Sequence, residues 1–307
     1  MITVVGSFVV DLMSRTPHMP VAGESVLGGP FKMGPGGKGG NQCIAAARCG
    51  SQLNMVTRIG KDEFGEIAKR SFNADHVNLD YTVIDENEST GVALIIVDDH
   101  SENMIVVATG ACGKLSREDV LAAEEIISKS DVLLTQLETS IESIRAAIEL
   151  AGKYNVPVVL NPAPYSDFPK DILENVTYAT PNETEASYLS GVQVVDDASA
   201  VKAAAAIKEM GVNVVIITMG SRGCLVYEGP DKYQFVSAFH LDNVVDTTGA
   251  GDAFNGGFAH AISVGMPLYE AVRFGNAVAG LSVTKVGTAP SMPYIEDTQN
   301  FLQEHAE

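Results

Sequence analysis

The chain is short of positive charge. Its 20 Lys and Arg face 39 Asp and Glu, a formal net charge of −19. Nucleic acid and anionic membrane surfaces are therefore poor partners, because both need clustered Lys and Arg. Any phosphate ligand must be held by local donors and a cation, not by the overall field. Long apolar runs are missing too: none reaches the roughly 18 residues that span a bilayer. Met1-Ile2-Thr3 lacks the basic start of a secretory leader. The four cysteines, Cys43, Cys49, Cys112 and Cys224, show no CxxC spacing and read as small core residues of a reducing compartment, the cytoplasm. His18, His76, His100, His240, His260 and His305 are scattered without metal-site spacing. Internal repeats and low-complexity tracts are absent.

What is present is an alternation of short apolar runs and helical stretches. Ile2 to Val5, Met55 to Ile59, Val132 to Leu137, Val156 to Leu160 and Val214 to Thr218 read as buried strands. Helices are expected between them, among others at Cys43 to Cys49, Glu63 to Ala74 and Ser140 to Tyr154. Near-continuous apolar strands separated by helices imply a parallel sheet covered on both faces. Two stretches break the alternation. Residues from about Met13 to Met33 are β-like without helical period, and Thr90 to Ala108 reads as a hairpin turning at Asp98 to Glu102. Together they suggest a small sheet standing off the main domain, as a lid or a subunit contact.

The chemistry concentrates at Asp246-Thr247-Thr248-Gly249-Ala250-Gly251-Asp252-Ala253-Phe254. Small residues at a helix entrance leave backbone N–H groups uncovered at the positive end of the helix dipole, a ready anion site. Asp252 sits where it opposes such an anion unless it accepts a proton from an attacking hydroxyl. It can equally be an acidic first-turn residue that favours the dipole. Gly34, Gly36 and Gly39 formally satisfy GxGxxG, but about twenty irregular residues separate them from the first core strand, so a dinucleotide fingerprint is disfavoured. Lys38 is followed by Gly39, so no P-loop is present. The stretch reads as a glycine loop approaching a polar ligand, with Lys38 and Asn41 pointing at it. Asp11, Glu138, Asn182, Thr218 and Asp252 are expected at strand C-termini, where open α/β sheets bind ligands. Asn182 and Glu185 are spaced as a capping box, and Glu185 is also suited to placing a hydrated Mg²⁺.

The order of these motifs resembles the ribokinase-type carbohydrate kinase family over nearly the whole chain. It runs from Gly6-Ser7 with Asp11 through Gly36 to Gln42, Ser89 to Ala93, Gln136-Leu137-Glu138 and Asn161 to Pro164. It continues through Thr180 to Glu185 and Thr218 to Gly223, and ends in the specific Asp246 to Phe254 signature. The resemblance implies a three-layer α/β/α domain with a mainly parallel central sheet, residues 1–12, 34–88 and 109–307. A β-sheet lid, residues 13–33 and 89–108, would cover the sugar and pair subunits in a homodimer. The implied reaction moves the γ-phosphoryl group of ATP to the O5 hydroxyl of ribose, or to 2-deoxyribose or another small sugar. Asp252 would be the base, with Gly249, Ala250 and Gly251 holding the phosphoryl charge. Asp11, Gly37, Lys38, Gly39, Gly40, Asn41 and Glu138 would line the sugar pocket. Asn182, Thr218, Gly220, Ser221, Gly223, Gly251 and Asn276 would meet the nucleotide, with Glu185 associated with Mg²⁺. Potassium would sit at Asp246, Thr248, Ser282, Lys285, Gly287 and Ser291, mostly on backbone oxygens.

Some positions depart from the family pattern. Val9 stands in the sugar pocket where the family often carries Asn, and it can neither donate nor accept a hydrogen bond. Cys112 likewise replaces a frequent Asn, and Pro35 and Gly40 alter the glycine stretch. These changes bear on the choice of sugar and leave the phosphoryl chemistry intact. A dinucleotide oxidoreductase built on the Gly34 stretch and a non-catalytic sugar-binding regulator are the competing readings, and the intact Asp252 with its amides argues against the regulator.

Overall fold

A computed structural model describes residues 1–100 and 102–305. Ser101 in the expected hairpin turn, and positions 306–307 of the main domain, lie outside the described residues. The strands are β1 (Ile2–Val5), β2 (Val9–Thr16), β3 (Phe31–Gly36), β4 (Leu53–Gly60), β5 (Thr82–Asp85), β6 (Thr90–Asp98) and β7 (Asn103–Gly110). They continue with β8 (Val132–Gln136), β9 (Val158–Asn161), β10 (Tyr178–Ala179), β11 (Val214–Thr218), β12 (Cys224–Gly229) and β13 (Lys232–Val236). The helices are α1 (Lys38–Arg48), α2 (Glu63–Ala74), α3 (Arg117–Ala122), α4 (Glu124–Ser128) and α5 (Ile141–Tyr154). After them come α6 (Glu183–Ser190), α7 (Asp197–Glu209), α8 (Ala250–Ser263), α9 (Leu268–Ser282) and α10 (Ile295–Glu304).

The main sheet runs β13-β12-β11-β10-β9-β8-β1-β4-β5, parallel from β11 to β5, with β12 and β13 antiparallel at one edge. Its central strands are apolar on both faces because helices cover both. Val5, Leu133, Leu160, Val215 and Ile217 pack under α3 to α7. Ile2, Val4, Leu134, Val159 and Ile216 pack under α1, α2, α8 and α9. Local signals set the helix ends. The Asp62 side chain accepts the Gly65 N–H to start α2, Ser140 does the same for α5, and left-handed Asn155 closes α5.

The second sheet has the order β3-β2-β6-β7, two antiparallel hairpins joined by the parallel pair β2–β6. It begins earlier than the expected boundary. Val9 already pairs with Gly36 and Gly91, so the small sheet runs from Val9 to Gly36 and reaches Gly110. Asp11 therefore lies within β2, opposite Gly34 and Ala93, and not at the end of a central strand. The first strand ends before Gly6-Ser7 as expected, but a new strand begins at Val9 and carries Asp11 into the small sheet. The glycine loop also differs. Lys38 to Asn41 form the first turn of α1, started by Gly37 at φ 83°. Lys-Gly-Gly-Asn is a poor helix start by propensity, and packing decides otherwise: a Cβ on Gly39 would come within 2.6 Å of the Ser7 nitrogen. Asp252, too, is in the first turn of α8, not at a strand end.

Candidate active site

Two helix N-termini meet at the C-terminal edge of the main sheet. Helix α1 is fastened there by Glu138, two positions beyond β8. Its Oε2 accepts the Lys38 N–H at 2.9 Å and the Ser7 hydroxyl. A carboxylate at this end of the helix also favours the dipole. Helix α8 begins at left-handed Gly249 (φ 79°), and no side chain among the described residues caps it. The Ala250 N–H reaches the Thr247 carbonyl at 3.2 Å, a long bond. The N–H groups of Gly249, Gly251 and Asp252 have no acceptor among the described residues. Above Gly251 the space is open, since a Cβ there would meet nothing within 4 Å. This end of α8 is an exposed donor set.

Asp252 is brought to that opening by close contact of α1 with α8. Gly256 makes the contact possible, because a Cβ there would lie 2.5 Å from the Cβ of Ala45. Side by side, the helices place two amides on one carboxylate. Asn41 Nδ2 donates to Asp252 Oδ2 at 2.9 Å and Gln42 Nε2 to Oδ1 at 3.0 Å. Asp252 is 6% exposed. The opening lies in a cleft of about 190 Å³ whose walls include Lys38, Asn182, Glu185, Thr218 and Gly249 to Asp252. Among the described residues lining it, Lys38 is the one basic side chain. Burial works to lower the Lys38 pKa, but the carboxylates of Asp252, Glu138 and Glu185 outweigh it and hold the ammonium above its ordinary value. In a chain of net charge −19 this is the local cation that a phosphate needs.

Glu185 has both expected characters. Its Oε2 accepts the Asn182 N–H while Asn182 Oδ1 accepts the Glu185 N–H, a complete capping box. It also faces the cleft, and burial raises its pKa against the pull of the Asn182 N–H and Lys38. Asp11 is pushed up to about 6, by burial first and by the charges of Glu138 and Asp252, against the Thr288 hydroxyl bond. Val9 is buried against Ala93 and Cys112, a small apolar cluster on the small sheet. Gly40 lies on α1 beneath Phe8. Gly220, Ser221 and Gly223 form the turn after β11. Asn276 is buried, its amide donating to the carbonyls of Val236 and Ser237.

At the expected cation position Asp246 ties two segments together: Oδ1 accepts the Thr248 N–H at 2.9 Å and Oδ2 the Gly287 N–H at 3.0 Å. These bonds hold its pKa low against burial. The Ser282 and Ser291 hydroxyls donate to backbone carbonyls in their own turns. Lys285 N–H reaches the Ser282 carbonyl.

Gln42, Gln136, Asn161 and Thr180, which lie in the quoted motifs but were given no role, complete the site together with Asn255 and Thr288. Gln42 adjoins Asn41 and Asn161 ends a strand, so both carried a signal. Thr288 carried none. A larger apolar hollow of about 600 Å³ lies near the other end of α8, around Cys49, His260 and Phe274. It is some 15 Å away along the helix, and the described residues lining it include no carboxylate.

The chain is similar to known proteins over nearly its whole length. Residues 1–295 match the pfkB family of carbohydrate kinases, and the chain belongs to that family. It is 41% identical over 305 residues to a ribokinase of Haemophilus influenzae, covering 99% of each chain. It is 38% identical over 303 residues to a deoxyribokinase of Salmonella typhi, covering 98% of each. Among solved structures, Arabidopsis thaliana ribokinase complexed with ribose and ATP superposes with a TM-score of 0.92 at 30% identity, covering 98% of each chain. The expected ribokinase-like α/β fold and the expected class, an ATP-dependent sugar kinase, both hold.

Proposed function

We propose that the acceptor is the primary O5 hydroxyl of D-ribose, giving ribose 5-phosphate, with Asp252 as the general base. The observation that carries this reading is a nearly buried carboxylate beside unpaired amides and one lysine. The carboxylate takes the proton as the alcohol oxygen attacks. The Gly249 and Gly251 N–H groups and Lys38 stabilise charge on the transferring phosphoryl group. Ala250 contributes once its long bond to Thr247 is exchanged for one to the phosphate.

The sugar lies between the start of α1 and the small sheet, against Val9, Asp11, Gly37, Gly39, Gly40 and Asn41, with Glu138 behind. The nucleotide runs from the α8 entrance past Asn182 and Thr218 to Gly220, Ser221 and Gly223, with Asn276 bracing the wall. A sheet that closes over the sugar excludes water, so the phosphoryl group reaches the alcohol. Its exposed apolar residues, Phe31, Met33, Ile105 and Val106 among them, support pairing of two copies through this sheet. The four unpaired buried cysteines support a reducing compartment, the cytoplasm.

Mg²⁺ fits beside Glu185, a buried carboxylate with one oxygen, Oε1, that has no partner among the described residues. When bound, it neutralises phosphate charge. A potassium ion would be held at Asp246, Thr248, Ser282, Lys285, Gly287 and Ser291, mostly through backbone oxygens. Similarity to a deoxyribokinase, and the apolar Val9, favour 2-deoxyribose as the second reading.

ADP release measured with ribose, 2-deoxyribose, xylulose and fructose, in potassium and in choline buffer, tests this. Ribose should give the highest kcat/KM, and potassium should raise it. If 2-deoxyribose outruns ribose, the second reading replaces the first. An ion-independent rate removes the potassium site.

A further inference from the structure

Asp252 is held from behind by a chain of side-chain amides whose direction the fold dictates. Gln42 Nε2 lies 3.0 Å from Asp252 Oδ1 and 3.1 Å from Asn161 Oδ1, while Gln42 Oε1 lies 2.7 Å from Gln136 Nε2. An amide can be turned end for end, but not here. Asn161 Nδ2 faces the Thr180 carbonyl at 3.0 Å, which can only accept, so Asn161 must present its oxygen to Gln42. Asp252, as a carboxylate, likewise takes donors only. Gln42 must then turn both N–H groups forward and its oxygen back, and Gln136 must supply the donor behind it.

The same network reaches the anion site. Thr180 Oγ1 donates to Asn255 Oδ1 at 2.6 Å, and Asn255 Nδ2 donates to the Gly251 carbonyl at 2.8 Å. The carboxylate and the amide-bearing turn are thus referenced to one rigid frame at the ends of β8 and β9.

We propose that Gln42, oriented by Gln136, is the positioning residue of this enzyme's base. It fixes which face of the Asp252 carboxylate meets the sugar hydroxyl and touches neither substrate. Asn41 holds the other oxygen but sits nearer the expected sugar pocket, so Gln42 is the cleaner probe. The inference rests on the reading of Asp252 as base. Removing Gln42's donors leaves the carboxylate held by Asn41 alone and able to swing about that bond, and a misplacement near 1 Å at a reacting group typically costs about 10²-fold.

The test is steady-state kinetics on Gln42→Met, Gln136→Met and the double variant, with Asp252→Asn alongside and ATP binding followed by thermal shift. Gln42→Met should lower kcat by about 10- to 100-fold while KM for sugar and ATP stay within about two-fold. Gln136→Met should lower kcat less, and the double variant should be no worse than Gln42→Met, since both act through one bond chain. Normal kcat in Gln42→Met beside an inactive Asp252→Asn overturns the positioning role and leaves the base in place. Additive losses in the double variant also overturn it. An active Asp252→Asn removes the base and this inference together. If Gln42→Met loses ATP binding because it fails to fold, Gln136→Met decides: a kcat loss at unchanged KM supports the role, and parental kcat refutes it.

Discussion

The Thr288 hydroxyl donates to Asp11 Oδ2 at 3.0 Å, joining residues 277 positions apart. It ties the segment before α10 to strand β2 of the small sheet, beside the Pro35 carbonyl. Gly36 allows Asp11 to lie flat here, since a Cβ on that glycine would come within 2.1 Å of the carboxylate. A partly buried carboxylate is thus held ready on the small sheet.

That readiness has a stability cost with a definite pH signature. Burial raises the Asp11 pKa from 3.8 to about 6, so between these values the folded chain holds the proton more tightly than the unfolded chain. Stability gains from this group as pH falls through the window, and the cost is fully felt above about 6. The rise corresponds to about 3 kcal/mol. Asp11→Asn, never charged, should be about 1–3 kcal/mol more stable than the parent at pH 8, with the gain vanishing by about pH 4. It should also bind sugar poorly. Urea unfolding at the two pH values checks this; an equal gain at both would show that charge burial is not the cause.

Gly251 separates folding from function. Apart from its own helix backbone and chain neighbours, no described residue lies within 4 Å of a Cβ placed there, and Ala is a better helix former by about 1 kcal/mol. Gly251→Ala should keep or raise the melting temperature and lower kcat/KM for ATP at least about tenfold, because the methyl enters the phosphate's space. Unchanged ATP kinetics would place the phosphoryl group elsewhere.

Val9 shares one face of β2 with Asp11 and is packed against Ala93 and Cys112. A side chain without donor or acceptor gains nothing from an extra sugar hydroxyl. Val9→Asn should move the ribose to 2-deoxyribose ratio of kcat/KM towards ribose by about five- to tenfold, one hydrogen bond being worth about 1 kcal/mol net. A constant ratio would clear Val9 of any part in the choice.

The sequence shows most plainly what is local. Asp252 and its small-residue entrance are contiguous, helix α2 begins and ends where its Asp62 cap and period place it, and the capping box of Asn182 with Glu185 follows from spacing alone. What escaped detection is made by contacts between distant segments. Asn41 and Gln42 bond a carboxylate more than 200 positions away, and neither their amide direction nor Thr288's partner has a local signature. The start of α1 was hidden for a related reason: its glycines disfavour a helix by propensity, yet only glycine lets the turn lie against Ser7. Asp11 was expected beside the end of β1 because β2 starts only three residues after it and on the apolar pair Val9-Val10.

The most direct measurement is single-turnover phosphoryl transfer to ribose by Asp252→Asn, with ATP affinity measured in the same preparation. The expected result is intact folding and ATP binding with a rate at least about 10²-fold lower, the usual share of a general base. A variant that binds ATP and transfers phosphate at the parental rate would contradict the assignment of Asp252 as the group that takes the proton.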